Sequence, residues 1–167
     1  MKNILKVTNS DSQAYSENTD TALSPFRRMT LEVLACILVL LWLYTGLDKL
    51  ADYNKYWHSM YLQVFPRSVL KIMVPAVPVM ELGTAILFFI YRYRTLAYVL
   101  SLTLLTGFTT YVALIYLGYF PKRPCACAGL FEHMGWGGHL LVNGALTLVA
   151  AVALIIHLKG KGVKGTV

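Results

Sequence analysis

The sequence predicts an all-α membrane protein: a four-transmembrane-helix bundle with an amphipathic outer helix between spans 1 and 2. Three observations predict it. The chain is 57% apolar and only 14% charged, where a soluble domain carries about one-quarter charged residues. Four stretches are apolar enough to cross a hydrocarbon core of roughly 30 Å, a distance that takes about 20 helical residues. Between the first two of these, aromatic residues recur at helical spacing. Strands are excluded as spans, because a bilayer offers no partner to an open strand's backbone. The formal net charge of +7 does not indicate nucleic acid. The basic residues sit at the ends of apolar runs, where Lys and Arg meet a lipid surface.

Taken in order, residues 1–23 are polar and read as a disordered cytoplasmic tail. Met1 to Ser24 lacks the apolar core of a secretory signal peptide, so the first span is expected to serve as its own insertion signal. Ser24-Pro25 reads as an N-cap followed by proline at the first helical position. The membrane domain is placed at 24–158, with spans at about 29–47, 72–91, 95–120 and 140–156. The first span holds Glu32 as its one charge, the second holds Glu81, and the third holds none; His139 and His157 bracket the fourth. Pro75 and Pro78 are expected to kink the second span just before Glu81. Residues 159–167 form a basic C-terminal tail.

The connection from Asp48 to Leu70 is more than a loop. Tyr53, Tyr56, Trp57, Met60, Tyr61, Val64 and Phe65 fall on one helical face, with polar residues between them. Tyr and Trp settle at the membrane–water boundary. The helix is therefore expected to anchor the chain there and to roof the outer face of the bundle. Within the spans, Thr103, Thr106, Gly107 and Thr110 share one side of the third, and Asn143, Gly144, Thr147 and Ala151 one side of the fourth. Small and hydroxyl residues allow close helix contacts in lipid, so these faces are expected to meet.

Orientation follows from the basic residues. With the N-terminus inside, nine Lys and Arg lie on the cytoplasmic side and six opposite, and the Arg27-Arg28 pair and the Tyr91–Arg94 turn both favour that side. The expected placement is the bacterial inner membrane, multi-pass, N-in and C-in. The polar segment from Pro121 to His139 then faces outward.

That segment carries the strongest chemical signal. Cys125 and Cys127 stand one residue apart, with Pro121 and Pro124 before them and Gly129 after. Alternate residues in a turn bring their Cα atoms within disulfide distance. A ring that small is strained, and hence a good oxidant. Lys122, Arg123 and His133 favour the thiolate that attacks disulfides. Thiol–disulfide exchange by a catalytic Cys125/Cys127 pair is one reading. A metal site of Cys125, Cys127, His133 and His139 is a second, since sulfur and imidazole suit Cu(I) or zinc, although one intervening residue is short for a zinc knuckle. Incidental cysteines are the third.

Glu81 sits at a depth where carboxylates face the bundle interior. It reads either as a proton site or contact for a quinone-like cofactor, or as a structural hydrogen-bond hub, with Thr103, Thr106, Thr110, Tyr44 and Asn143 as its candidate partners. Asp48-Lys49 reads as a self-compensating interface pair, and Cys36 as a small buried hydrophobe.

The TGLDKL end of the first span, the aromatic outer helix, the pattern Pro75-x-x-Pro78-x-x-Glu81-Leu82-Gly83 and the Cys-x-Cys segment together resemble the DoxX-like membrane proteins, specifically their MauE branch, over roughly Thr30 to Ile156. The resemblance implies a four-helix inner-membrane protein tied to redox work outside the cytoplasm. MauE is linked to maturation of the disulfide-dense light chain of methylamine dehydrogenase, and DoxX relatives include a subunit of a thiosulfate:quinone oxidoreductase. By position, Cys125 and Cys127 match the family's cysteine pair and Glu81 its second-span carboxylate. Four-helix quinone-coupled disulfide generators carry two cysteine pairs, whereas this chain has three cysteines in all. The expected role is thus passage of electrons between an extracytoplasmic thioredoxin-like or disulfide-bearing partner and an acceptor. The alternatives are a non-catalytic membrane subunit or assembly factor, and a metal-handling protein.

Overall fold

The computed structural model describes residues 25–63, 65–120 and 135–162. The described residues hold helices and no strand: α1 Pro25–Ala51, α2 Tyr53–Tyr61, α3 Arg67–Phe89, a 3-10 turn at Tyr91–Tyr93, α4 Arg94–Tyr116 and α5 Trp136–Gly162. Among these, α1, α3, α4 and α5 are long and apolar enough to span a membrane. At 1.5 Å per residue the 23 residues of α3 and of α4 reach about 35 Å, and the 27 of α1 and of α5 about 40 Å, so each overruns the hydrocarbon.

The helix ends differ from the apolar stretches for local reasons. Pro25 opens α1, as its fixed φ favours. At the far end of α4, Gly118 adopts φ 75°, while its N–H bonds Ile115 O and that of Tyr119 bonds Leu114 O. That Schellman arrangement ends the helix at Tyr116, short of the apolar limit at 120. By contrast α5 continues through Lys159 to Gly162, so the first part of the basic tail is helical. Both prolines lie inside α3, which runs through them unbroken; Lys71 and Val74 lose the i+4 donors to their carbonyls.

The four spans close a ring in which α1 packs chiefly on α3 and α4 chiefly on α5, with thinner α3–α4 and α1–α5 contacts. In lipid there is little hydrophobic drive between helices, so small residues and internal polar bonds decide the contacts. Ala35, Ala85, Ala97, Ala150 and Ala153 are buried around Leu38, Trp42, Tyr98 and Leu105. The indole N–H of Trp42 donates to Ser101 Oγ at 2.8 Å, satisfying both groups in the interior. Opposite faces carry Val33, Ile37, Leu40, Ile86 and Val152 outward.

One end of the bundle holds a polar clasp. Arg94 donates to Glu32 at 2.8 Å, Thr95 Oγ1 lies 3.0 Å from His157 Nε2, and the Tyr98 ring packs between Phe88 and His157. The single charge of the first apolar run is thereby paired with the first residue of α4. The other end carries α2. Asp52 caps it by accepting from Lys55 N at 3.1 Å. Tyr56 and Met60 turn inward onto Leu70 and Val74 of α3, and Trp57 and Tyr61 stack on the outer side at 4.2 Å.

Two expectations about faces are corrected. The interhelical hydroxyl contact is Thr109 to Thr147, at 3.0 Å; Thr106 and Thr110 are exposed. The Thr103 and Thr110 hydroxyls donate instead to Val99 O and Thr106 O of their own helix, so no partner across the bundle is needed. Cys36 is exposed on the outer face of α1, because the buried stripe passes through Ala35 and Leu38 on either side of it.

Candidate functional site

The end of the bundle beneath α2 encloses a cavity of about 410 Å³. All four spans and α2 contribute to its wall. From α1 come Trp42, Thr45 and Lys49, and from α3 Met73, Val77 and Glu81. Thr103, Gly107, Phe108 and Tyr111 of α4 form another side, and Trp136, His139 and Asn143 of α5 another. Tyr56, Met60, Gln63 and Phe65 close it above. The roof is held by Tyr111, whose hydroxyl donates to Gln63 Oε1 and whose ring stacks on Phe65 at 5.4 Å. The lining is mostly apolar, with a few convergent polar groups, which is the usual character of a small-molecule site.

At its base is an ion pair. Lys49 Nζ stands 2.9 and 3.0 Å from the two carboxylate oxygens of Glu81, and 3.1 Å from the Thr45 carbonyl. The Glu81 side chain is 2% exposed and that of Lys49 15%. The pair exists because α1 and α3 approach closely one turn before it. Gly46 is buried against Leu82, and a Cβ there would lie 2.8 Å from Leu82 Cγ and Cδ2. The two motifs TGLDKL and ELG are thus two halves of one contact: Gly46 lets the backbones meet and Lys49 neutralises Glu81. Gly46→Val is expected to force α1 from α3 and to destabilise the protein by about 1–3 kcal/mol. Denaturant unfolding in detergent micelles checks this, and Gly83→Ala, where a Cβ meets nothing within 4 Å, should lie near wild type.

Glu81 therefore lies in the cavity, but its partner is Lys49 and not the candidate hydroxyls. Thr103 and Asn143 line the same cavity, whereas Thr106, Thr110 and Tyr44 do not. Lys49 binds Glu81 across the helices instead of compensating Asp48 at the interface. His139 is buried and reaches the cavity from the first turn of α5. Cys125, Cys127 and His133 lie outside the described residues, as do residues 1–24 and Val64. The flanks of the cysteine segment are described. Phe120, immediately before it, packs 6.2 Å from the Tyr111 ring, and Trp136, just after it, lies 6.1 Å from His139. The chain leaves and re-enters the described structure beside the cavity. Among the described residues no cluster of three His, Cys, Asp or Glu is arranged to hold a metal.

A protein-family model described as methylamine utilisation protein MauE matches residues 27–156. The match takes in all four spans, both halves of the Lys49–Glu81 contact and the cysteine segment. No curated protein and no solved structure matches the chain.

Proposed function

The chain belongs to the MauE family, and from that premise we propose that it carries thiol–disulfide equivalents between an extracytoplasmic partner and an acceptor in the membrane. The observation that supports this most is that Trp136, just after the cysteine segment, lines the same cavity as the Lys49–Glu81 pair, and Phe120, just before it, packs on Tyr111 of the cavity wall. On this reading, thiol chemistry and a membrane-embedded small-molecule site share one end of the bundle. The topology that goes with it is N-in and C-in across the bacterial inner membrane. That places Cys125 and Cys127 on the oxidising side, where a disulfide persists.

In the forward direction, a thiolate of the partner attacks one sulfur of the Cys125–Cys127 disulfide, forming a mixed disulfide and releasing the other as a thiolate. The second partner thiolate then attacks the mixed bond. The partner leaves with its disulfide formed, and Cys125 and Cys127 are left as a dithiol that has gained two electrons and two protons. Lys122 and Arg123, adjacent in sequence, favour the leaving thiolate by their charge. A membrane quinone would suit the size and the apolar, aromatic lining of the cavity, where Trp42, Phe108, Tyr111 and the Lys49–Glu81 pair are the residues that would hold it. Such a group, when bound, supplies a sink for two electrons and two protons, which is what the dithiol must lose to become the disulfide again.

Maturation of a disulfide-bearing periplasmic protein, as in methylamine utilisation, is the setting this chemistry suits. Mass-tag alkylation of cells with and without reductant tests it. The expected result is a Cys125–Cys127 pair that is oxidised at rest and becomes fully alkylated after reduction. A pair found permanently reduced would exclude exchange and leave an assembly role.

A further inference from the structure

We propose, resting on the reading that the cavity holds a quinone acceptor, that the carboxamide of Asn143 holds an oxygen of its head group in both redox states. Its N–H donates to the carbonyl of the quinone, and its carbonyl accepts from the hydroxyl of the quinol.

Asn143 lines the cavity from α5. It stands seven residues after Trp136, which opens the helix, and so lies about 10 Å further along the axis. Its backbone is tied down. Thr147 Oγ1 donates to the Asn143 carbonyl at 2.7 Å and lies 3.0 Å from Thr109 Oγ1 of α4. The carboxamide, by contrast, makes no hydrogen bond to another described residue. An amide left without a partner in a mostly apolar wall at this depth is costly. A ligand oxygen in the cavity removes that cost.

The other polar groups deep in the wall are committed to one another. Lys49 directs its three N–H groups to Thr45 O and the two oxygens of Glu81, leaving none for a ligand carbonyl. Glu81 is held by Lys49 and by the Thr45 side chain. The Thr103 hydroxyl donates to Val99 O, and that of Tyr111 to Gln63. Ser59 belongs to α2 and Trp136 to the first residue of α5, at the end of the bundle where head groups and water supply partners.

The choice of an amide has a chemical consequence. The oxygens of a quinone only accept hydrogen bonds, whereas those of a quinol also donate. An ammonium donates and cannot accept, so it would serve the oxidised form better than the reduced one. A carboxamide carries an N–H donor and a carbonyl acceptor on one broad terminal torsion. Asn143 can therefore keep its bond while the ligand gains two electrons and two protons.

The test uses the full chain with Cys36→Ala, Cys125→Ser and Cys127→Ser, so that no thiol adds to the probe, held in lipid nanodiscs without oxygen. The probes are decyl-trimethylbenzoquinone, its quinol, and decyl-pentamethylbenzene, in which methyl groups replace both oxygens. Affinity is read from tryptophan quenching by the quinone and from its displacement by the other two. Quinone and quinol are expected to bind within about threefold of each other, and each at least about fivefold tighter than the hydrocarbon, the worth of one hydrogen bond. Asn143→Leu should bring both down to the hydrocarbon's level while moving the hydrocarbon itself less than about twofold. Should Asn143→Leu fail to fold, Asn143→Ala serves instead. Selectivity kept in the variant, or a quinol bound no better than the hydrocarbon, would overturn the proposal while leaving the quinone reading in place. A quinone bound no better than the hydrocarbon when Asn143 is present would overturn that reading as well.

Discussion

Glu81→Leu is expected to destabilise the bundle by about 3–5 kcal/mol, and Lys49→Met by a similar amount, because each strands the other's charge in a low-dielectric interior. Glu81 is almost wholly buried and Lys49 nearly so, leaving little water to take over as partner. The double variant should recover most of that loss. Replacing both ends of a buried pair by apolar groups of similar size is often neutral, since the cost of desolvating two ions disappears together with their attraction. Unfolding in micelles, run as a double-mutant cycle, measures the coupling directly. Losses that simply add would show that Lys49 and Glu81 do not depend on each other. The stable double variant is also informative about function. It keeps the cavity but removes its polar edge, so ligand binding should fall while the fold persists.

Serine at both Cys125 and Cys127 is expected to reduce thiol exchange to background while the four-helix bundle still folds. The loss is complete because the remaining hydroxyls neither form a disulfide nor leave from one. Single serine variants behave differently. One of them should accumulate a mixed disulfide with the partner, since the thiol that resolves it is gone. Non-reducing gels of cell membranes report that adduct, and mass spectrometry identifies the protein attached. An assembly role would show the opposite pattern, with partner maturation unaffected by the double variant.

The bundle itself was readable because lipid imposes one rule on every span. Long charge-free runs must be helices, and the Tyr and Trp spacing after Asp48 marked α2 as amphipathic before its contacts were known. The residues that cap or pair were harder to see. Apolar composition continues to Phe120, but Gly118 ends α4 earlier through a backbone conformation that hydropathy does not register. Glu81 stands out as a mid-span carboxylate, yet the sequence points to hydroxyl and amide side chains on other spans as its partners and not to Lys49. Lys49 lies at the end of a span, where lysine ordinarily reaches for the head groups, and the two residues are 32 positions apart. Pairing across helices depends on their relative rotation, which periodicity along one helix cannot supply. One local signal was present: Gly46, one turn before Lys49, permits the close approach that brings a lysine onto a neighbouring helix. The hydroxyl faces failed for a related reason. Thr106 and Thr110 satisfy themselves or face outward, and Thr109, about 100° around the helix from Thr110 and about 60° from Thr106, makes the contact.

Everything proposed for Cys125 and Cys127 requires them to stand on the side of the membrane opposite the N-terminus. A membrane-impermeant maleimide added to intact cells expressing the Cys36→Ala chain, after mild reduction, measures this most directly. Modification before lysis is the expected result. Modification that appears only once the membranes are broken would contradict it.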